Sequence, residues 1–165
     1  MRSDVAAREY EAADLEACLE VFDSNVPTYF TSGERAEFRS FLQALPGPYL
    51  VLTDAEGGIV GCGGYAINRE TGSADLCWGM VRRELHGTGL GRLLTRLRIE
   101  RSREDPHVSE IALHTSQHTA GFYERLGFRI LSVTEDAYAL GLHRYDMCLS
   151  ATDGVDHQTR REDRA

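Results

Sequence analysis

Apolar residues in the first third of the chain recur at helical spacing, which predicts two amphipathic helices after a short strand at 8–11. Asp14 can cap the first helix. Its inward face would carry Leu15, Cys18, Leu19 and Phe22. The second helix is predicted over 34–45, because a Pro-Gly-Pro segment that breaks helices follows it. Its inward face would carry Phe38, Phe41, Leu42 and Leu45.

The stretch 49–81 changes to the pattern of strands. Mostly apolar segments at 49–53, 59–67 and 74–81 are separated by short turns rich in Gly, Asp and Asn. The first two segments are predicted to form a β-hairpin. Together the three segments predict an antiparallel meander.

The second half of the chain mixes helices and strands. A leucine-rich amphipathic helix is predicted to start at Leu90 and to end before Pro106, with Leu90, Leu93, Leu94 and Leu97 facing inward and a charged stretch through Arg103. A strand at 110–115, a short helix at 119–126 and strands at 128–133 and 145–149 are predicted to follow. This order predicts one α/β domain over 1–149, and the polar segment 150–165 is predicted to be a disordered tail.

Composition and charge narrow the classes of partner. No apolar stretch approaches the roughly 20 residues that span a bilayer. The N-terminus lacks a signal-peptide core, so no membrane partner and a cytoplasmic location are expected. The net charge of −8 argues against nucleic acid as a partner. All 18 basic residues are arginine, so an anion would bind to guanidinium groups, backbone amides or helix ends.

The cysteines and histidines do not predict a metal site. The four cysteines form no C-x-x-C pair, which favours buried thiols over disulfides or metal ligands. They are Cys18, Cys62, Cys77 and Cys148. The six histidines form no ligand constellation either, so no metal is expected.

The segment 86–91, His-Gly-Thr-Gly-Leu-Gly, places three glycines at the start of the leucine-rich helix. The amides and partial positive charge at a helix N-terminus bind anions, and glycine lets a phosphate approach the backbone. The same region adds polar groups from Arg82, Arg83, Thr88 and Arg92. Glycines that only shape a turn would explain this stretch equally well, so the motif alone does not decide.

Two motifs together resemble the GNAT superfamily of acetyl-coenzyme A-dependent N-acyltransferases. The diphosphate loop of that family reads Q/R-x-x-G-x-G/A, and here His86 takes the first position, followed by Gly89 and Gly91. A second family signature, N-x-x-A-x-x-F-Y-x-x-x-G-F, is met by Phe122, Tyr123, Gly127 and Phe128. Ser116 and Thr119 replace its asparagine and alanine.

The resemblance implies a GNAT-type fold, a mixed and strongly twisted sheet of six to seven strands flanked by about four helices. It also implies acetyl-coenzyme A as co-substrate and no metal. The implied cofactor contacts are Met80, Val81, Arg82, His86, Gly87, Thr88, Gly89, Leu90, Gly91, Arg92, Ser116, Thr119, Phe122 and Tyr123. Gly79 favours a strand bulge that would leave backbone amides near Met80 available to the acetyl carbonyl.

The implied reaction is direct attack of a primary amine on the thioester, without a covalent enzyme intermediate. Tyr123 occupies the position whose phenol protonates the leaving thiolate in many relatives, although a role in packing alone is the alternative. Asp75 is preferred as general base over Glu110, His114 or a chain of waters. The residues expected to line the acceptor site are Tyr29, Phe30, Trp78 and His114.

The identity of the acceptor is left open between a small-molecule and a peptide amine, and a homodimer is left open too. The alternative function is an acyl-coenzyme A sensor or regulatory domain that binds the cofactor without turning it over. A hydrophobic core role for Trp78 and for the aromatic loop at 25–33 also stays open.

Overall fold

Seven strands and four helices make up residues 4–152, the part of the chain that the computed structural model describes. The strands are β1 (Ala6–Glu9), β2 (Tyr49–Thr53), β3 (Ile59–Asn68), β4 (Ser73–Val81), β5 (Glu110–Thr115), β6 (Arg129–Ala139) and β7 (Leu142–Ser150). The helices are α1 (Leu15–Ser24), α2 (Glu34–Gln43), α3 (Leu90–Arg103) and α4 (Ala120–Arg125). Of the predicted tail at 150–165, Ser150 ends β7, and residues 153–165 lie outside the described part.

The strands form one mixed sheet in the order β1-β2-β3-β4-β5-β7-β6. β1 and β3 pair antiparallel with β2, and β4 pairs parallel with β5. β7 lies between β5 and β6 and is antiparallel to both. The predicted fold class, a mixed sheet of six to seven strands with about four helices, is confirmed.

The described residues divide into two compact units, one formed by 4–66 and 76–102, the other by 67–75 and 103–152. In the first unit the predicted inward faces of α1 and α2 are confirmed, because Cys18, Leu19, Phe22 and Phe38 are buried in one cluster with Tyr49 of β2. A smaller cluster joins α3 to the strands through Leu52, Val60 and Leu94.

The buried face of α3 differs from the predicted leucine stripe. Leu93, expected to face inward, is 38% exposed. The buried positions are Leu94, Thr95, Arg98, Ile99 and Ser102. Leu94 is buried and Leu90 and Leu97 pack against its cluster as predicted, so Leu93 is the leucine that departs from the stripe. The buried face extends instead to Arg98, which lies against Gly63 and Gly79 of the neighbouring strands.

In the second unit, the strands around β7 are longer than predicted. β6 runs on to Ala139, and a tight turn at Leu140 and Gly141 leads directly into β7. Gly141 has φ +78°, a conformation that side chains rarely adopt. The prediction ended β6 at Val133 because a pairing irregularity between Thr134 and Ala139 removes the regular alternation that marks a strand.

Within residues 4–152, the helices lack the combination of length and apolar content needed to cross a membrane. Cys18, Cys62 and Cys148 are buried as predicted, whereas Cys77 is half-buried.

Candidate functional site

The glycine segment forms a tight loop at the start of α3. Gly87 has φ +80° and Gly89 has φ +92°, both in the left-handed region that glycine tolerates. A Cβ added at Gly87 would meet no atom within 4 Å. The backbone conformation, rather than crowding, therefore requires glycine there, and the space beside the loop is open.

The loop delivers the N-terminus of a fourteen-residue helix. The Gly89 carbonyl accepts the amide of Leu93 at 3.1 Å, which starts the helical ladder. The amides of Leu90 and Gly91 precede that ladder, so they have no acceptor inside the helix. Thr88 turns its hydroxyl back into the loop, where it donates to the Leu85 carbonyl at 2.6 Å. This arrangement suits a phosphate at the backbone.

His86 attaches the loop to the end of β4. Its Nε2 donates to the Val81 carbonyl at 3.0 Å, and its ring meets Tyr29 edge-on with the centroids 4.9 Å apart. The Arg83 guanidinium lies 4.8 Å from the centre of the Tyr29 ring. Tyr29, which was expected at the acceptor site, thus lies beside the glycine loop at 86–91. His86 has a structural role in that loop.

The end of β4 carries the local strain that a bulge would produce. Trp78 has φ +43°, so the irregular residue is the neighbour of Gly79 and not Gly79 itself. The Trp78 carbonyl accepts the hydroxyl of Tyr49 at 2.8 Å. Further along, the Arg82 amide donates to Val60 of β3 at 2.8 Å. Because successive amides alternate in direction, the Val81 amide points away from β3.

Trp78 and Phe30 lie together in an aromatic cluster. Their rings stack with the centroids 5.9 Å apart. Further rings at 5.1 to 6.4 Å from Trp78 belong to Phe22, Phe38 and Phe41. Both residues are partly buried against the core of the first unit. The core role left open for them is therefore supported, and their contact with an acceptor stays a prediction.

In the second unit, two aromatic contacts hold the ring of Tyr123 in place. It packs edge-on against Phe122 at 5.0 Å and Phe128 at 5.7 Å. Among residues 4–152, the Tyr123 hydroxyl has no recorded hydrogen-bond partner. Ser116 is buried, and its hydroxyl accepts the His118 amide at 3.3 Å.

Thr119, the other replacement in the second motif, stands immediately before α4. Its hydroxyl is hydrogen-bonded to the hydroxyl of Thr115. Ser116 and Thr119 thus shape the turn into α4.

The candidate bases share one face of the sheet in the second unit. Asp75 pairs with Ala112 of β5, and alternation places Glu110 and His114 on the same face. Asp75 accepts the hydroxyl of Ser73 at 3.0 Å. Asp75 and His114 therefore remain candidates for the general base. Glu110 lies at the opposite end of β5 from His114.

His114 differs from the two carboxylates in its surroundings. A hydrogen bond of 2.5 Å joins its Nδ1 to the hydroxyl of Tyr138. Partial desolvation and the positive charge of Arg144 lower the pKa of His114 below its usual 6.5. The imidazole is therefore neutral at pH 7 and able to accept a proton.

Sequence reasoning missed three residues that shape the end of β4. Asn25 is buried and donates to the carbonyls of Val21 and Val81, both at 2.9 Å. Tyr49 holds the strained Trp78, and Arg98 lies behind Gly79. Only Arg98 left a signal in the sequence, a charged residue four positions after Leu94 on the apolar side of a helix.

Metal ligands are not assembled in the described part of the chain. No group of three or more His, Cys, Asp or Glu side chains in residues 4–152 is placed to hold a metal ion.

Comparison with solved structures shows close agreement of the fold. A protein assigned to the GNAT acetyltransferases from Desulfovibrio desulfuricans is 24% identical, with a TM-score of 0.74 over 90% of this chain and 99% of that one. The ribosomal-protein-S18-alanine N-acetyltransferase of Escherichia coli is 19% identical, with a TM-score of 0.74 over 93% of this chain and 97% of that one. Spermidine N-acetyltransferase of Vibrio cholerae, solved with CoA and spermine, is 19% identical, with a TM-score of 0.71 over 92% and 98%.

Comparison with curated protein sequences gives no significant match. A family model described as an acetyltransferase (GNAT) domain matches residues 14–150. That range includes both motifs and every strand after β1. The chain therefore belongs to the GNAT family of acetyltransferases, as the resemblance of its two motifs predicted.

Proposed function

We propose that this chain transfers an acetyl group from acetyl-coenzyme A to a primary amine by direct attack, without a covalent enzyme intermediate. One observation carries the proposal most directly. The loop of Gly87 and Gly89, shaped by two left-handed glycines, opens α3 in a chain that matches the acetyltransferase family.

The cofactor would be held mainly by backbone. The amides of Gly87 to Arg92 would bind its diphosphate, supported by the positive end of α3. Thr88 and His86 keep the loop in shape through their bonds to Leu85 and Val81. The remaining contacts would come from Met80, Val81, Arg82, Ser116, Thr119, Phe122 and Tyr123.

The acetyl carbonyl would be polarised at the end of β4. Attack by the amine nitrogen forms a C–N bond and places a negative charge on the thioester oxygen, which an amide donor stabilises. The Arg82 amide already pairs with Val60, so the Val81 amide is the better candidate. Its direction away from β3 supports that assignment.

Breaking the C–S bond releases the thiolate of coenzyme A. We assign its protonation to Tyr123, because packing fixes the ring while the hydroxyl has no recorded partner in the described residues. The phenol O–H donates its proton to sulfur, and the resulting phenolate regains a proton from solvent. The attacking nitrogen carries a surplus proton in the tetrahedral intermediate and loses it to the base or to solvent as the C–S bond breaks, which leaves the neutral amide.

The acceptor must lose a proton before attack, since an alkylammonium has a pKa of about 10. Asp75 is the preferred base, directly or through water. His114 is the second candidate, because its lowered pKa leaves the imidazole neutral at pH 7. The acceptor class we propose is a small-molecule or peptide amine acting in the cytoplasm.

Two measurements on the full chain test the function. Isothermal titration with acetyl-coenzyme A measures binding. Free thiol is then followed with a panel containing a polyamine, an amino acid, an aminoglycoside and a peptide with a free N-terminus. We expect binding and amine-dependent thiol release, with the acetylated amine detected by mass spectrometry.

Two results would contradict the proposal. Tight binding without thiol release over the whole panel would favour the acyl-coenzyme A sensor. Stronger competition by ATP or a dinucleotide than by coenzyme A would indicate a nucleotide-phosphate site instead.

A further inference from the structure

Arg98 is buried in the middle of α3. Only 2% of the residue is exposed, and it is among the largest fully buried side chains of the described chain. A charged side chain is almost never buried to this extent unless it is paired. Its surroundings therefore need an explanation.

The guanidinium packs directly on strand backbone. A Cβ added at Gly79 of β4 would stand 2.5 to 2.9 Å from three guanidinium atoms. A Cβ at Gly63 of β3 would stand 3.2 Å from Cζ and 3.2 Å from Nε of Arg98. The two glycines thus make room for Arg98, and no side chain separates its charge from β4.

Arg98 is poorly compensated for a buried cation. Its Nη1 donates to the Gly64 carbonyl at a long 3.4 Å, and its Nε has no hydrogen-bond partner. Among residues 4–152 no carboxylate forms an ion pair with it. An apolar side chain of similar volume would pack at lower cost. Stability alone does not account for an arginine at this position.

The position of the Arg98 charge next to β4 indicates its role. Gly79 follows the strained Trp78 and immediately precedes the segment 80–82 to which we assign the acetyl carbonyl. The hydroxyl of Tyr49 holds the Trp78 carbonyl at 2.8 Å. Burial and the neighbouring thiols of Cys62 and Cys18 raise the pKa of Tyr49, and the charge of Arg98 opposes that rise.

We propose that Arg98 is a positioning residue for acetyl transfer, which presents a fixed positive charge through the backbone of β4 to the oxyanion formed at that strand. The inference rests on the proposed function. Because the charge is already in place and dehydrated, it needs no reorganisation when the oxyanion develops. Burying the charge lowers the stability of the fold, as is common at functional sites.

Three variants of the full chain test this role. Arg98→Met removes the charge and keeps an unbranched side chain, Arg98→Lys keeps the charge, and Arg101→Met removes a guanidinium elsewhere on α3. For Arg98→Met we expect kcat to fall by about tenfold to a hundredfold. The Kd for acetyl-coenzyme A should change by less than about twofold, and Tm should stay the same or rise. Arg98→Lys should recover most of the lost kcat, and Arg101→Met should resemble the wild type.

Two outcomes would overturn the inference while the wild type is active. One is an Arg98→Met variant with wild-type kcat. The other is an Arg98→Met variant that unfolds, or loses Tm and kcat together, because either result would assign the arginine to stability alone. An inactive wild type would instead refute the proposed function, which separates the two failures.

Discussion

At the scale of single residues, Tyr123 is the side chain on which the chemistry depends most. Its ring is held between Phe122 and Phe128, while its hydroxyl has no recorded partner in the described part of the chain. Removing only the oxygen would therefore leave the packing of α4 intact and take away the proposed proton donor.

For Tyr123→Phe we expect kcat to fall by about a hundredfold or more, with little change in the Kd for acetyl-coenzyme A. Steady-state kinetics and isothermal titration measure the two quantities. Tyr10→Phe, which removes a hydroxyl near the end of β1, should keep the kcat of the wild type. A Tyr123→Phe enzyme with nearly normal turnover would assign the phenol to packing.

His114 links pH to stability. Its pKa is lowered in the folded protein, mainly by desolvation and then by Arg144, so the unfolded chain binds this proton more readily. The contribution of the neutral imidazole is present above pH 6.5 and is lost as pH falls through the lowered pKa.

We expect the urea midpoint to decrease as the pH falls below about 6.5, and to decrease less in His114→Gln. His118→Gln, which changes another exposed histidine of the second unit, should follow the wild type. Identical pH dependence in wild type and His114→Gln would show that this imidazole is not desolvated in solution.

Gly79 tests the close packing behind β4. A Cβ at this position would stand 2.5 Å from Nη2 of Arg98, and the buried guanidinium has no open space in which to move. We expect Gly79→Ala to lower the free energy of unfolding by about 1–3 kcal/mol, measured by urea denaturation.

Gly33→Ala is the matched control for that variant. The nearest atom to its added Cβ is 3.9 Å away, and its φ of −67° suits any residue. A change of less than about 0.5 kcal/mol is expected. Equal stability of the two alanine variants would contradict the close contact of Arg98 with β4.

At the scale of elements, local signals predicted the structure well and distant ones did not. The bounds of β5 were predicted to the residue, and α3 begins at Leu90 as predicted and ends at Arg103, before Pro106. The bounds of both elements are set by residues close in sequence, by the period of the apolar positions and by helix breakers. The exposure of Leu93 and the burial of Arg98 were missed because Arg98 packs against glycines in β3 and β4.

In the candidate site, too, features set by residues close in sequence were predictable and features set by distant residues were not. The phosphate loop was predictable because its glycines and the helix after it are adjacent in sequence. The anchoring of Val81 by Asn25 was not, since 56 positions separate the two residues. Tyr29 and Phe30 are neighbours in sequence, yet one packs against His86 and the other against Trp78. Sequence spacing alone cannot assign them to different surroundings.

At the scale of the whole molecule, the proposed anion site belongs to a protein of net charge −8. The overall charge repels an anionic cofactor, so binding must depend on local groups. Helix amides and the arginines near the loop supply those groups without any lysine. The family assignment rests on the match of the acetyltransferase (GNAT) domain model to residues 14–150, a range that includes the loop and the second motif.

The most direct test of the central claim is a titration of the ¹⁵N-labelled chain with coenzyme A, followed by backbone amide resonances. If the loop binds the diphosphate, the largest downfield shifts should occur at Gly89, Leu90 and Gly91. Pantetheine, which lacks the diphosphate, should leave those three amides unchanged. Binding of coenzyme A without shifts at these amides, or with equal shifts from pantetheine, would contradict the account.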